Sequence, residues 1–142
     1  MNKTLIAALG VAALAGAAYY LTRPPQMTQA EAPAEGDALV TITQPETLSP
    51  EALMGSRAFD ATCASCHGDN ATGKMGFGPP LVHKIYEPSH HGDMAFVLAV
   101  QNGVRAHHWP FGDMPAQSGL TRADVGNIIA FVRELQRANG IE

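Results

Sequence analysis

The stretch Cys63-Ala64-Ser65-Cys66-His67 decides how this chain is read. Two thiols two residues apart, with an imidazole directly after the second, form the attachment signature of a c-type haem. Each sulfur can add to one vinyl group of the porphyrin. The short loop between them then holds the next residue beneath the ring, which makes His67 the candidate proximal iron ligand. The chain has two cysteines in all, so this reading uses both. Competing readings need partners that the sequence does not supply. A zinc half-site requires a second Cys/His pair at ligand spacing, whereas His90-His91 and His107-His108 are adjacent pairs. A dithiol redox motif belongs in a βαβ pattern, and none is discernible.

With 142 residues the chain has room for one domain plus appendages. Aromatic residues make up 6% of it, few for a packed core, and a buried macrocycle offsets that shortage with its own flat apolar surface. A net charge of −4 argues against general nucleic-acid binding. No Gly-rich phosphate loop and no nucleophile–base arrangement stands out, so an enzyme is not expected.

Residues 1–23 are of a different material. After Lys3, an almost uncharged run of Leu, Ile, Val, Ala and Gly extends from Thr4 to Leu21, with Tyr19-Tyr20 near its end. Two export readings compete. Ala15-Gly16-Ala17 offers a small-x-small processing site for a cleaved signal peptide. Alternatively residues 4–22 form an uncleaved anchor, about long enough to span a bilayer, with Lys3 inside and the rest outside. The apolar run continues past the processing site, which favours the anchor. Residues 24–48 follow as a Pro-, Ala- and Glu-containing segment that reads as a solvated tether. Within it, Leu39-Val40-Thr41-Ile42 is either a short strand or a stretch lying on the domain surface.

The folded domain is expected over 49–142 and is all-α. Ser49-Pro50-Glu51 starts a helix that runs to about Ala61 and delivers the chain to Cys63. Gly55 inside that helix costs about 1 kcal/mol relative to Ala, and close approach of another helix would explain it. Residues 68–80 are loop by composition. A second helix is expected from about Ser89 to Gln101, ending at Asn102-Gly103. The last helix begins with a capping-box variant, Thr121-Arg122-Ala123-Asp124, and carries a stripe of Val125, Ile128, Ile129, Val132 and Gln136. Arg133 and Arg137 read as complements to its C-terminal dipole.

The sixth iron position decides the chemistry. Met75, Met94, Met114 and the histidines at 83, 90, 91, 107 and 108 are the candidates. Met114 is the expected ligand. It lies in a loop just before a helix and far enough from His67 to reach the other haem face. Met75 is too near the attachment site, and Met94 falls on the second helix, where packing is the plainer role. Ordinary hydrogen bonding is the plain reading of the four histidines at 90, 91, 107 and 108, with a bis-His centre through His107 or His108 as the lesser alternative, and His83 is a candidate hydrogen-bond partner of a haem propionate.

Over roughly residues 49–139 the chain resembles the class I cytochromes c. Gly55 and Phe59 stand where that family has a helix glycine and an aromatic that cross a C-terminal helix, here with Phe131 among the contacts. Gly78-Pro79-Pro80-Leu81 matches the family's Gly-Pro-x-Leu, and Asp113-Met114-Pro115 its Met-Pro ligand segment. The resemblance implies a small cytochrome c fold of three main helices around one haem c, attached through Cys63 and Cys66. It also implies that the Pro79 carbonyl accepts a hydrogen bond from the His67 ring and that Leu81 packs on the haem. The implied function is single-electron transfer in a bacterial respiratory or photosynthetic chain. The implied location is the periplasmic side of the cytoplasmic membrane, where the family's thioether attachment takes place. Partners would be a quinol-oxidising complex, a terminal oxidase or a dehydrogenase. A haem subunit of a dehydrogenase and a gas- or peroxide-binding haem protein are the alternatives. The domain has no dense lysine ring, so docking through a strongly basic face does not fit it.

Overall fold

The computed structural model describes residues 16, 18–22 and 32–142. The leader expected at 1–23 therefore lies mostly outside the described residues. Its described end, 18–22, is helical, and Thr22 Oγ1 donates to the Ala18 carbonyl at 2.7 Å. Among the described residues no helix is long and apolar enough to cross a membrane.

The first long helix, α1, spans Pro50–Thr62. Ser49 caps it by accepting from the Ala52 amide at 3.1 Å, and Pro50 takes a position where no intrahelical N–H is needed. A single turn, α2 (Ala64–His67), follows at once and contains most of the cysteine–histidine motif. Helix α3 spans Asp93–Asn102, beginning four residues later than the composition suggests. Residues 89–91 are held in a turn instead, with the His90 and His91 amides both donating to the Glu87 carbonyl. Helix α4 spans Arg122–Ala138 and has the reciprocal cap expected of it, between Thr121 and Asp124. No β-strand occurs among the described residues, and the domain is all-α.

The core is the crossing of α1 and α4. A Cβ on Gly55 would run into the Asn127 carbonyl of α4, so the backbones touch at a point where only glycine fits. One turn on, Phe59 meets Phe131 with ring centroids 5.6 Å apart and planes tilted by 58°, a geometry that adds about 1 kcal/mol to the burial of the two rings. Ala52, Ile128, Val132 and Leu135 join the buried cluster, with Ala71 and Val82 added from outside the two helices.

Two polar residues of α4 are buried as well, and they do a different job from the dipole complement expected of Arg133. The Arg133 guanidinium donates to the Tyr86 carbonyl at 2.7 Å, the His91 carbonyl at 2.6 Å, Asp93 Oδ1 at 2.9 Å and Gln136 Oε1 at 2.6 Å. Gln136, fully buried, donates to the Leu81 and Tyr86 carbonyls at 2.8 and 3.0 Å. These bonds fasten the irregular segment 81–93 to the last helix.

The tether reading of 24–48 does not extend to its second half, which lies against the domain. Leu39 and Val40 donate to the Thr72 carbonyl, and Gly36 and Asp37 exchange backbone bonds with Met75. Asn139 brackets Thr43 by both its N–H and its C=O. Leu39–Ile42 is therefore a surface-lying stretch and not a strand.

Replacing Gly55 with Ala should gain the usual helix propensity of about 1 kcal/mol and lose more by prising α1 from α4. A net loss of about 2 kcal/mol is expected, read as a lower urea midpoint of the full-chain holoprotein followed by circular dichroism.

Candidate haem site

The end of α1 fixes where the motif sits. Cys63 donates its amide to the Phe59 carbonyl at 2.7 Å, and the amides of Cys66 and His67 both return to the Cys63 carbonyl. The two thiols and the imidazole thus hang from the helix crossing on one tight turn. Cys63 is partly buried and Cys66 is exposed. Burial first, and the adjacent Cys66 second, push the Cys63 thiol up to about 11, so it is protonated at neutral pH.

Beneath this turn the chain doubles back. Asn70 and Ala71 both take left-handed conformations, at φ 53° and 61°, and the Ala71 carbonyl then receives the amides of Leu81 and Val82. Gly78 slides under Cys66 so closely that a Cβ would come within 2.6 Å of the Cys66 carbonyl. The result is that His67 Nδ1 lies 2.9 Å from the Pro79 carbonyl. A carbonyl only accepts, so Nδ1 carries the hydrogen and Nε2 carries the lone pair. Burial lowers the His67 pKa from its ordinary value, and the bond to Pro79 opposes that in part. The ring is therefore neutral and available as a ligand.

Cys63, Cys66, His67, Pro79, Leu81 and Met114 all line one cavity of about 510 Å³. All six expected site residues are thus brought together. Met75 and Met94 are not in its wall; Met94 is exposed rather than packed. The Met114 loop is held by a reciprocal backbone pair with Val104, 2.9 Å each way, and by Asp113 Oδ1, which accepts from the Ala106 amide at 2.8 Å.

The residues present fit a haem. Phe77 and Leu98 line the cavity yet stay about half exposed, apolar surface suited to a flat macrocycle. Trp109 Nε1 is buried in the same wall without a well-formed hydrogen bond, a donor ready for an acceptor on a bound group. Its indole does lie near enough to the Tyr86 hydroxyl to offset part of the burial that raises that phenol's pKa to about 12.

A family model for cytochrome c matches residues 52–136. The chain belongs to the cytochrome c family. This cytochrome is 35% identical over 85 residues to a protein named cytochrome c-555 from Chlorobaculum thiosulfatiphilum, covering 58% of this chain and 93% of that one. It is 30% identical over 103 residues to a cbb3-type cytochrome c oxidase subunit, CcoP, from Azospirillum brasilense. There the match covers 68% of this chain and 32% of the relative, so the cytochrome spans about a third of that protein's length. The protein is an electron carrier of the c type, and its haem c is attached through Cys63 and Cys66, which stand at the family's spacing.

Sequence reasoning missed two groups at this site. Arg133 and Gln136 stabilise the cavity's Leu81–Asp93 wall from behind; the burial of Gln136 was visible as its place in the apolar stripe of α4, but nothing marked Arg133. His83, a candidate ligand by type, is instead committed to accepting from the Ile85 amide at 3.2 Å, and it abuts Trp109 edge-on. The other four histidines gather at the cavity rim, where His91, His107 and His108 contribute to the lining. Poor hydration among these rings, followed by the charges of His107, His91 and His90, lowers the pKa of His108.

Gly78→Ala should displace either Cys66 or Pro79 and cut covalent haem incorporation severalfold. The ratio of haem absorbance to intact protein mass in the purified chain measures it.

Proposed function

We propose that the cytochrome carries single electrons with its haem iron ligated by His67 and Met114. The observation that supports this reading is the His67 Nδ1 to Pro79 carbonyl bond at 2.9 Å, which leaves Nε2 as the ligating nitrogen in a cavity that Met114 also lines. When bound, the haem supplies a one-electron ferric/ferrous couple. The chain's own residues do the rest. Pro79 orients the imidazole and raises its basicity as a ligand. Met114 offers a soft thioether, which favours the ferrous state and gives a higher potential than a second imidazole would. Leu81, Phe96 and Val104 keep the cavity apolar and exclude water. With two protein ligands in place, no substrate has a position to occupy, so the protein is read as a carrier and not as an enzyme.

In the same reading, residues 1–23 act as an export signal or membrane anchor and deliver the domain to the periplasmic side of the cytoplasmic membrane. A carrier tethered in this way meets its partners at raised effective concentration. A quinol-oxidising complex is the electron donor we favour. A terminal oxidase is the acceptor, which the likeness to an oxidase subunit supports.

Met114→Ala is the test. The ferric wild type should show the weak long-wavelength band of a thioether–iron bond, and the variant should lose it. Carbon monoxide should bind the ferrous variant readily and the ferrous wild type poorly. Ready binding to the wild type, or a band unchanged in the variant, would overturn the assignment of Met114.

A further inference from the structure

Four imidazoles converge at the rim of the cavity from two separate loops. His90 and His91 come from the turn before α3, and His107 and His108 from the loop after it. Their rings touch: His90–His91 at 4.6 Å, His90–His108 at 5.5 Å, His91–His108 at 5.3 Å and His107–His108 at 4.3 Å between centroids. Hydrophobic burial does not account for the grouping, since His90, His107 and His108 are exposed.

We propose that His90, His91 and His108 form a binding site for one divalent transition-metal ion, zinc or Cu(II). One ring nitrogen from each of the three lies within 4.8 Å of the other two. Tetrahedral zinc with Zn–N bonds of about 2.0–2.1 Å requires nitrogens roughly 3.4 Å apart. The set is thus assembled but open, and rotation of the exposed His90 and His108 rings closes it. Imidazole nitrogens alone select this class of metal over calcium or magnesium, which take oxygen ligands.

The least exposed of the three is the one that is already oriented. His91 Nδ1 lies 2.6 Å from the Ile85 carbonyl, so it holds the hydrogen and Nε2 keeps the lone pair for a metal, as in metal sites whose histidines are fixed by a carbonyl behind them. Its own carbonyl is gripped by the buried Arg133 at 2.6 Å. His107, with Nδ1 2.8 Å from the Arg105 carbonyl, stands beside the three, and water or its ring completes the coordination.

Zinc alone is the probe, titrated calorimetrically into chelator-treated full-chain holo-cytochrome. Wild type should take up one zinc per chain in a saturable step. His90→Ala, whose ring is outside the cavity wall, should bind at least tenfold more weakly with its haem spectrum unaltered, and the double variant His90→Ala/His108→Ala should show no saturable binding. With Cu(II), nitrogen hyperfine structure in the electron paramagnetic spectrum should report imidazole ligation in the wild type. Absence of saturable zinc binding by the wild type would overturn the proposal. So would equal affinity in His90→Ala, or a haem spectrum altered by that substitution, which would put the imidazole on the iron instead. The zinc and Cu(II) readouts do not depend on Met114 being the sixth ligand.

Discussion

Everything in the domain hangs on the contact between two helix backbones. At Gly55 the chain of α1 meets the Asn127 carbonyl of α4 with no room for a side chain. That approach fixes the depth at which Phe59 and Phe131 pack, and Phe59 in turn receives the Cys63 amide on its carbonyl. The haem-binding turn is therefore placed by a packing contact two turns away from it. A few tenths of an ångström of helix separation would be transmitted to both thiols, because nothing between Phe59 and Cys63 is soft enough to absorb it.

One stretch of the cavity wall, residues 81–93, is largely irregular, and a polar device holds it in place. Segment 81–93 offers several carbonyls that no regular structure satisfies. Arg133 and Gln136 reach out of α4 and pair with four backbone and side-chain acceptors between Leu81 and Asp93. Burying a guanidinium is costly unless it is well bonded, and here Asp93 lends the charge while three carbonyls, the Gln136 side chain's among them, take further donors. Phe96 adds its ring face at 4.9 Å from the guanidinium carbon. A lysine has the charge but not the planar fork that spans four acceptors in different directions.

This division explains what was legible beforehand. Helices α1 and α4 with their caps, the crossing glycine, the two cysteines, His67 and Met114 announce themselves through local chemistry, because each is fixed by spacing or by a neighbour in sequence. The Pro79 partner needed the family resemblance, since the loop from Gly68 to Pro80 says only that the chain turns. What depended on distant acceptors was not legible. Arg133 near a helix C-terminus is indistinguishable from a solvated arginine until segment 81–93 is folded against it. Residues 32–48 read as solvated because their polar composition is dominated by side chains, whereas they are held by backbone bonds to Thr72 and Met75 and by Asn139. Four histidines in two pairs gave no sign that the pairs would meet.

The two sides of the site are consequently built with unequal firmness. His67 stands on a helix end, is hydrogen-bonded at its far nitrogen, and lies between two cysteines' backbone and a glycine-tight turn. Met114 stands on a loop held by a pair of bonds to Val104, by Asp113, by the Gln117 amide on the Val100 carbonyl and by the close approach of Gly103. Local opening free energies follow the number of buried contacts and protected bonds, and the Met114 loop, lying outside the helix crossing, has fewer buried partners than the turn that carries His67. In the proposed ligation this means that a transient loss of the sixth ligand leaves the cofactor in place, since the thioether links and the imidazole belong to the firm side. In that proposed ligation the fold separates retention of the haem, which α1 and α4 secure, from tuning of its potential, which would fall to the Met114 loop.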